Sequence, residues 1–95
     1  MRLHWTPRAK ADIAAIHDYI AEHNPHAATK VMARIRQSAA LLANYPGVGR
    51  DTDIVGIRVL PVVRYPYLVY HRIGDDEVAI VHVRHGAREA PSPDE

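Results

Sequence analysis

The sequence predicts an α+β fold in which a helical hairpin packs on one face of an antiparallel sheet, in the order β-α-α-β-β-β. Two stretches with the apolar spacing of helices follow each other with almost no linker, and three stretches with β character come after them. At 95 residues the chain has room for one domain. We assign residues 1–88 to this domain, and we predict that residues 89–95, which are polar and rich in proline, form a disordered tail.

The first strand and the first helix lie at the start of the chain. Leu3 and Trp5 alternate with polar neighbours, as in a short strand. Thr6 followed by Pro7 indicates a helix start, because Thr is a good N-cap and Pro at the first helical position lacks an N–H that would have no partner anyway. Apolar residues then recur on one helix face: Ala9, Ile13, Ile16 and Ile20. We predict that this helix ends near His23.

The second helix begins and ends at similar signals. Asn24 is the predicted N-cap and Pro25 the first helical residue. The apolar face is formed by Ala28, Val31, Ile35, Ala39 and Leu42. The helix runs to about Asn44, because the Tyr-Pro-Gly sequence at 45–47 stops it. Two long helices with so short a linker must fold back on each other as a hairpin.

The second half of the chain has β character. Residues 48–56 are predicted to be a loop. Three strands follow, at 57–63, 67–73 and 78–85. Pro61 cannot donate a backbone hydrogen bond, so its strand should lie at an edge or carry a bulge. The Gly-Asp-Asp-Glu sequence at 74–77 predicts a tight hairpin. The last strand is apolar on both sides, which is typical of a central strand.

Composition and charge exclude several classes of protein. The formal net charge is +1, which by itself does not indicate a nucleic-acid-binding protein. There is no Cys, so disulfides, thiolate nucleophiles and zinc–thiolate sites are excluded. The start lacks the apolar run of a signal peptide, and no window approaches the roughly 18 apolar residues of a membrane span. We therefore expect a cytoplasmic protein with no membrane partner.

The sequence lacks the common motifs of metal sites and hydrolases. The seven histidines show neither zinc-ligand spacing nor a pair flanking a Glu on one helix turn. Ser38 lies within a predicted helix and Ser92 in the tail, and no Gly-x-Ser-x-Gly sequence is present. No glycine-rich loop connects a strand to a helix. We expect neither a metal nor a cofactor.

The arginines of the second half are the first candidate site. If Arg58 and Arg84 point to the uncovered sheet face, they form a basic surface. With His85 nearby, that surface could bind a phosphodiester, stabilise its charge in a transition state and supply a proton. Alternatively, these arginines pair with neighbouring acidic residues, because residues 50–95 hold six Arg and no Lys against eight Asp and Glu. The composition of the region favours the second interpretation.

The outer side of the second helix is the second candidate site. Its polar members are Lys30, Arg34, Arg36 and Gln37. They form either a solvated surface or a groove for an amphipathic segment of a partner.

Several segments, taken together, resemble one known family. They are Trp5-Thr6-Pro7, Ala11-Asp12-Ile13, Ile16-His17-Asp18-Tyr19-Ile20, Leu42-Ala43-Asn44-Tyr45-Pro46-Gly47-Val48-Gly49-Arg50, Gly56-Ile57-Arg58-Val59-Leu60, Tyr65-Pro66-Tyr67-Leu68-Val69-Tyr70-His71-Arg72 and Val78-Ala79-Ile80-Val81-His82-Val83-Arg84-His85-Gly86-Ala87-Arg88. In this order they resemble the RelE/ParE toxin superfamily over about residues 3–88. The family fold is a helical hairpin against an antiparallel sheet, which agrees with the predicted elements.

The resemblance implies the toxin of a type II toxin–antitoxin module, of the kind associated with growth inhibition and plasmid stabilization. The expected partner is a cognate antitoxin that wraps the toxin with a helical and extended C-terminal segment, forming a hetero-oligomer. This favours the groove interpretation of the second helix. Lys30, Arg34, Arg36 and Gln37 are therefore the antitoxin-binding candidates.

The target of the toxin is less sharply implied, because RelE-like members cleave mRNA in the ribosome whereas ParE-like members inhibit DNA gyrase. The Leu-x-x-Tyr-Pro-x-x-Gly-Arg and Tyr-Pro-Tyr-Leu-Val-Tyr-x-Arg stretches resemble the ParE side, and neither of the two lysines lies on a predicted strand. We therefore expect a gyrase inhibitor rather than an enzyme. Its target-binding candidates are Arg50, Arg58, Arg84, His85 and Arg88.

Two alternatives to gyrase inhibition follow from the same resemblance. The first is a metal-independent mRNA interferase in which Arg58 and Arg84 bind the phosphate and His85 acts as general acid or base, leaving 2′,3′-cyclic phosphate ends. The second is a degenerate toxin that only binds its antitoxin.

Overall fold

The computed structural model describes residues 1–86, so Arg88 and the predicted tail at 89–95 lie outside the described residues. The elements are β1 (Arg2–Trp5), α1 (Pro7–Ala21), α2 (Pro25–Asn44), a 3₁₀ turn (Pro46–Val48), β2 (Arg50–Asp51), β3 (Arg58–Pro61), β4 (Tyr67–Ile73) and β5 (Glu77–His85). The predicted α+β fold, with the two helices packed on the sheet, is confirmed. No helix within the described residues is long and apolar enough to cross a membrane.

Both helices begin at the predicted caps. The Thr6 hydroxyl accepts the backbone N–H of Ala9 at 3.2 Å, and the Asn24 side chain accepts that of Ala27 at 3.0 Å. Each cap satisfies one of the N–H groups that a helix start leaves without an intrahelical partner. The first helix ends at Ala21, two residues before the predicted end.

The sheet has the strand order β1-β5-β4-β3-β2, so the last strand is central, as predicted. Strand β1 runs parallel to β5, and the other neighbours are antiparallel, which makes the sheet mixed rather than wholly antiparallel. A parallel pair is possible because β1 and β5 are not joined by a tight turn: the helical hairpin and three other strands lie between them in the chain. Pro61 is the last residue of β3 and lies beyond the part of β3 that pairs with β2.

The prediction that residues 48–56 are wholly loop is wrong, because this stretch contains the short strand β2. A 3₁₀ turn ends at Val48, and Arg50–Asp51 then pairs with Val59 and Arg58. A two-residue strand has too few positions for an alternating pattern, so the sequence carries no periodic signal for it.

The core lies between α2 and the centre of the sheet. Helix α2 buries the whole predicted stripe from Ala28 to Leu42, and its members from Val31 onward share the core cluster with Val69, Ile80 and Val83. Helix α1 is less covered: only Ala9 is fully buried, and its isoleucines at positions 13, 16 and 20 are half-buried against the core. Of the two helices, α2 therefore contributes more buried apolar residues to the core than α1 does.

Register determines which residues face the helices. Along β4, Tyr67, Val69 and His71 point to the helix-covered face. In β5 the register shifts by one residue, from the Tyr70–His82 pair to the His71–Ile80 pair. The extra residue interrupts the strict alternation, so Val78 and Ile80 before the shift and Val83 after it all face the core.

Candidate functional site

The Arg58 side chain is held by its own chain. One guanidinium nitrogen donates to the Asp51 carboxylate at 2.8 Å, and the other donates to the carbonyls of Gly47, at 3.3 Å, and Gly49. Arg58 pairs with His71 across the β3–β4 ladder, so it points to the helix-covered face. The guanidinium therefore fastens the 3₁₀ turn and β2 to the rest of the sheet.

We call these contacts of Arg58 with Asp51, Gly47 and Gly49 the Arg58 clamp, and His71 lies fully buried next to it. Its Nδ1 is 3.2 Å from the Val69 carbonyl, so it carries the proton and donates it to that oxygen. Burial lowers the pKa of His71, the Val69 carbonyl opposes that change, and the positive charge of Arg58 lowers the pKa further. His71 is accordingly neutral at pH 7.

Gly49 covers the His71 ring. A Cβ atom at position 49 would lie 2.7 Å from Cε1 of His71 and 2.9 Å from the Val59 carbonyl oxygen. Both contacts are shorter than packed atoms allow, so the backbone approaches the ring this closely only because the residue is glycine.

Arg84 lies on the opposite side of the sheet from Arg58. It pairs with Leu68, one position out of phase with the core-facing Val83. It is buried, and its guanidinium carbon is 5.7 Å from the ring centre of Tyr70, within cation–π distance. The two arginines therefore do not form the shared basic surface considered from the sequence.

His85 shares the helix-covered face with Arg58 but lies far from it. Its ring meets Tyr67 edge to face, with ring centres 5.3 Å apart. Arg58 is opposite His71 and His85 is opposite Tyr67, so the two lie about 13 Å apart along β4 and about 10 Å apart across the strands. The three residues that a nuclease mechanism would use do not converge on one point.

The remaining target-binding candidates are on the surface or outside the described residues. Arg50 is exposed on β2, at the edge of the sheet. The structure leaves Arg88 undescribed. Among residues 1–86, no group of three or more His, Asp and Glu side chains is arranged to hold a metal ion.

The antitoxin-binding candidates line the solvent side of α2. Lys30, Arg36 and Gln37 are exposed and Arg34 is half-buried. Met32, which lies between two of them in sequence, points into the core. We call Lys30, Arg34 and Arg36 the basic surface of α2.

Asp12 and His82 form a contact that the sequence did not reveal. One oxygen of the Asp12 carboxylate accepts hydrogen bonds from the backbone N–H of Val83 at 2.9 Å and from Nδ1–H of His82 at 2.5 Å, and the other accepts one from Arg8 at 3.2 Å. His82 also stacks on Tyr70, with ring centres 5.9 Å apart. Asp12 belongs to one of the segments that carry the family resemblance, which is the only sequence signal for it. The contact fastens α1 to β5.

A protein family, a relative and a solved structure each resemble this chain over most of its length. Residues 3–90 match the family described as the ParE toxin of the type II toxin–antitoxin system, parDE. The chain is 43% identical over 84 residues to Toxin RelE2 of Caulobacter vibrioides, which covers 88% of this chain and 93% of that protein. A solved structure titled as the chromosomal ParDE TA system from P. aeruginosa superimposes with a TM-score of 0.79 and 31% identity, covering 90% of this chain and 95% of the other.

Proposed function

Because the chain belongs to the ParE toxin family of type II toxin–antitoxin systems, we propose that it inhibits DNA gyrase and is silenced by a cognate antitoxin. Family membership makes it the toxin component, with an antitoxin as its partner in a hetero-oligomer. Gyrase as the target, and the cytoplasm as the place of action, belong to the proposal.

The separation of Arg58, Arg84 and His85 supports an inhibitor that does not catalyse a reaction. Phosphodiester cleavage needs charge stabilisation and proton transfer at one phosphate. Arg58 and Arg84 lie on opposite faces of the sheet, and Arg58 already binds a carboxylate and two carbonyls. A toxin that binds its target and holds it in one state needs no such convergence.

A RelE-type mRNA interferase is the second candidate, because a relative that is 43% identical carries the name RelE2. Under this alternative Arg58 and Arg84 bind the phosphate and His85 transfers the proton, without a metal.

Two assays with the purified toxin separate these candidates. We expect inhibition of gyrase supercoiling and intact mRNA on programmed ribosomes. Cleaved mRNA with normal supercoiling would overturn the proposal in favour of the interferase. His85→Ala adds a second comparison: an interferase would lose its cleavage activity, whereas a gyrase inhibitor would lose only what one target-binding side chain contributes. A chain that neither inhibits gyrase nor arrests growth would be a degenerate toxin.

We assign antitoxin binding to the basic surface of α2. Three cationic side chains along one helix suit an acidic amphipathic segment. The double variant Lys30→Glu with Arg36→Glu should weaken capture of the co-expressed antitoxin by about tenfold or more, because like charges then meet across the interface. Lys10→Glu, which reverses an exposed charge on α1, is the matched control and should bind as the unaltered chain does.

A further inference from the structure

The turn between β2 and β3 presents two apolar side chains to solvent. Ile54 is 49% exposed and Val55 is 99% exposed. Single exposed apolar residues are common on protein surfaces. Two adjacent β-branched residues at the end of a protruding turn are less easily explained by the fold, because neither contributes to the core cluster. We call Ile54 and Val55 the apolar tip.

The backbone that carries the apolar tip is firmly held. The Thr52 hydroxyl donates to the Ile57 carbonyl at 2.8 Å and accepts the Ile54 N–H at 3.1 Å. Backbone hydrogen bonds join Thr52 to Ile57 and Ile57 to Ile54. Gly56 has φ +83°, a conformation that glycine adopts without strain. A turn closed this way presents the apolar tip in one geometry.

The base of the turn is also fixed, through the Arg58 clamp. Asp51, directly before Thr52, accepts from Arg58, and that arginine also holds the two glycine carbonyls of the preceding segment. Branched side chains have few rotamers to lose. A rigid support and stiff side chains both lower the entropy that binding would otherwise cost.

The charges beside the apolar tip indicate what kind of partner fits it. Asp53 is exposed directly before the tip, whereas Asp51 is paired with Arg58 at 2.8 Å, so Asp53 is the carboxylate that supplies negative charge beside the tip. Carboxylates disfavour nucleic-acid phosphates and anionic membrane surfaces, and the aliphatic side chains offer no hydrogen bonds to bases. An apolar pocket with a basic rim on a folded protein matches both the shape and the charge.

The same charges separate this partner from the antitoxin. The basic surface of α2 suits an acidic segment, whereas the apolar tip suits a basic rim. We propose that the apolar tip inserts into an apolar, basic-rimmed pocket of the toxin's target protein; this inference rests on the proposed function, in which that protein is gyrase.

Val55→Asp tests the proposal against a matched control, Val63→Asp. Val63 is also an exposed valine, 61% exposed, in the connection between β3 and β4. Both variants place the same charge at an exposed site, so both should fold. The readouts are growth arrest on induction, inhibition of gyrase supercoiling, thermal unfolding, and capture of the co-expressed antitoxin.

We expect Val55→Asp to weaken growth arrest and gyrase inhibition by about tenfold or more, since it removes a buried valine from the interface. Val63→Asp should retain both, and both variants should capture the antitoxin equally. The proposal is overturned if Val55→Asp remains as toxic as the unaltered chain, if Val63→Asp loses as much, or if Val55→Asp loses only antitoxin capture. Growth arrest that depends on Val55 without any gyrase inhibition would instead overturn gyrase as the target and leave the tip intact.

Discussion

Asp12 in α1 accepts the backbone N–H of Val83 in β5, across 71 residues of sequence. Strand β1 ends at Trp5, opposite Ile80, so it does not cover the far end of β5. At this uncovered end of β5, the Asp12 carboxylate provides the Val83 N–H with the acceptor that a neighbouring strand would otherwise supply. Because a buried N–H without an acceptor is costly, this contact links the placement of α1 to the integrity of the sheet.

We expect Asp12→Asn to destabilise the fold by about 1–3 kcal/mol. The carboxylate accepts from three donors, on Val83, His82 and Arg8, whereas an amide has one acceptor oxygen and turns an NH₂ group toward the others. Urea denaturation measures the loss. Asp18→Asn is the matched control: its side chain is 82% exposed and contacts only the neighbouring His17 in the described structure, so its unfolding midpoint should barely move. Equal midpoints for the two variants would contradict this account of Asp12.

Local signals were enough to predict the helices and most of the strands. The Thr6 and Asn24 caps predict helix starts from a few neighbouring residues, because capping depends on the chain immediately around it. The limits of β4 coincide with the prediction for the same reason: alternation is a local property. The direction of β1 relative to β5 depends on how the whole helical hairpin returns to the sheet, which no local pattern shows.

The candidate site depended on features that the sequence hides. Whether Arg58 and Arg84 share a face depends on strand register, and a change of one position moves a side chain to the other face. The acceptors of Arg58 lie 7 to 11 residues before it, in a segment with little periodic pattern. Asp51 is one of the acidic neighbours that the sequence offers as partners for the arginines, whereas no sequence pattern indicates the glycine carbonyls.

The packing of Gly49 on His71 predicts that replacing Gly49 by alanine lowers stability much more than replacing Gly47 does. Gly49→Ala should lower stability by about 1–3 kcal/mol, because its Cβ would press on the imidazole and on the Val59 backbone, which cannot easily move. Gly47→Ala is the control, since nothing lies within 4 Å of the Cβ it would add. Thermal unfolding of both variants checks the prediction. A Gly49→Ala protein as stable as the Gly47→Ala protein would show that the ring and the turn can separate freely.

The Arg58 clamp predicts that charge alone cannot replace the guanidinium. In Arg58→Lys an ammonium keeps the charge but cannot reach the Asp51 carboxylate and two carbonyls in the same fork geometry. The ion pair itself contributes little, because Asp51 is largely exposed. The carbonyl hydrogen bonds should account for most of a loss of about 1–2 kcal/mol.

Hydrogen exchange identifies where the Arg58→Lys protein loosens. Amides of residues 48–52 should exchange faster, while those of the β4–β5 ladder keep their protection. The control is Arg72→Lys, an exposed arginine on β4, which should leave both regions unchanged. Uniformly faster exchange throughout the sheet would mean that Arg58 stabilises the whole domain rather than this segment.

Buried, neutral His71 predicts a pH dependence of stability with a definite sign. Its pKa in the folded chain is below the ordinary 6.5, so as pH falls through about 6.5 the unfolded chain takes up the proton first. The free energy of unfolding should therefore decrease below that pH, by at most about 1.4 kcal/mol per pH unit from this residue, and the contribution is absent above it. His71→Gln, which cannot titrate, should show a shallower loss between pH 6.5 and 5.5. His26→Gln removes an exposed histidine from the start of α2 and serves as the control for the loss of one histidine. If the slopes of unfolding free energy against pH were the same in the two variants, His71 would have to take up its proton as readily in the folded chain as in the unfolded one.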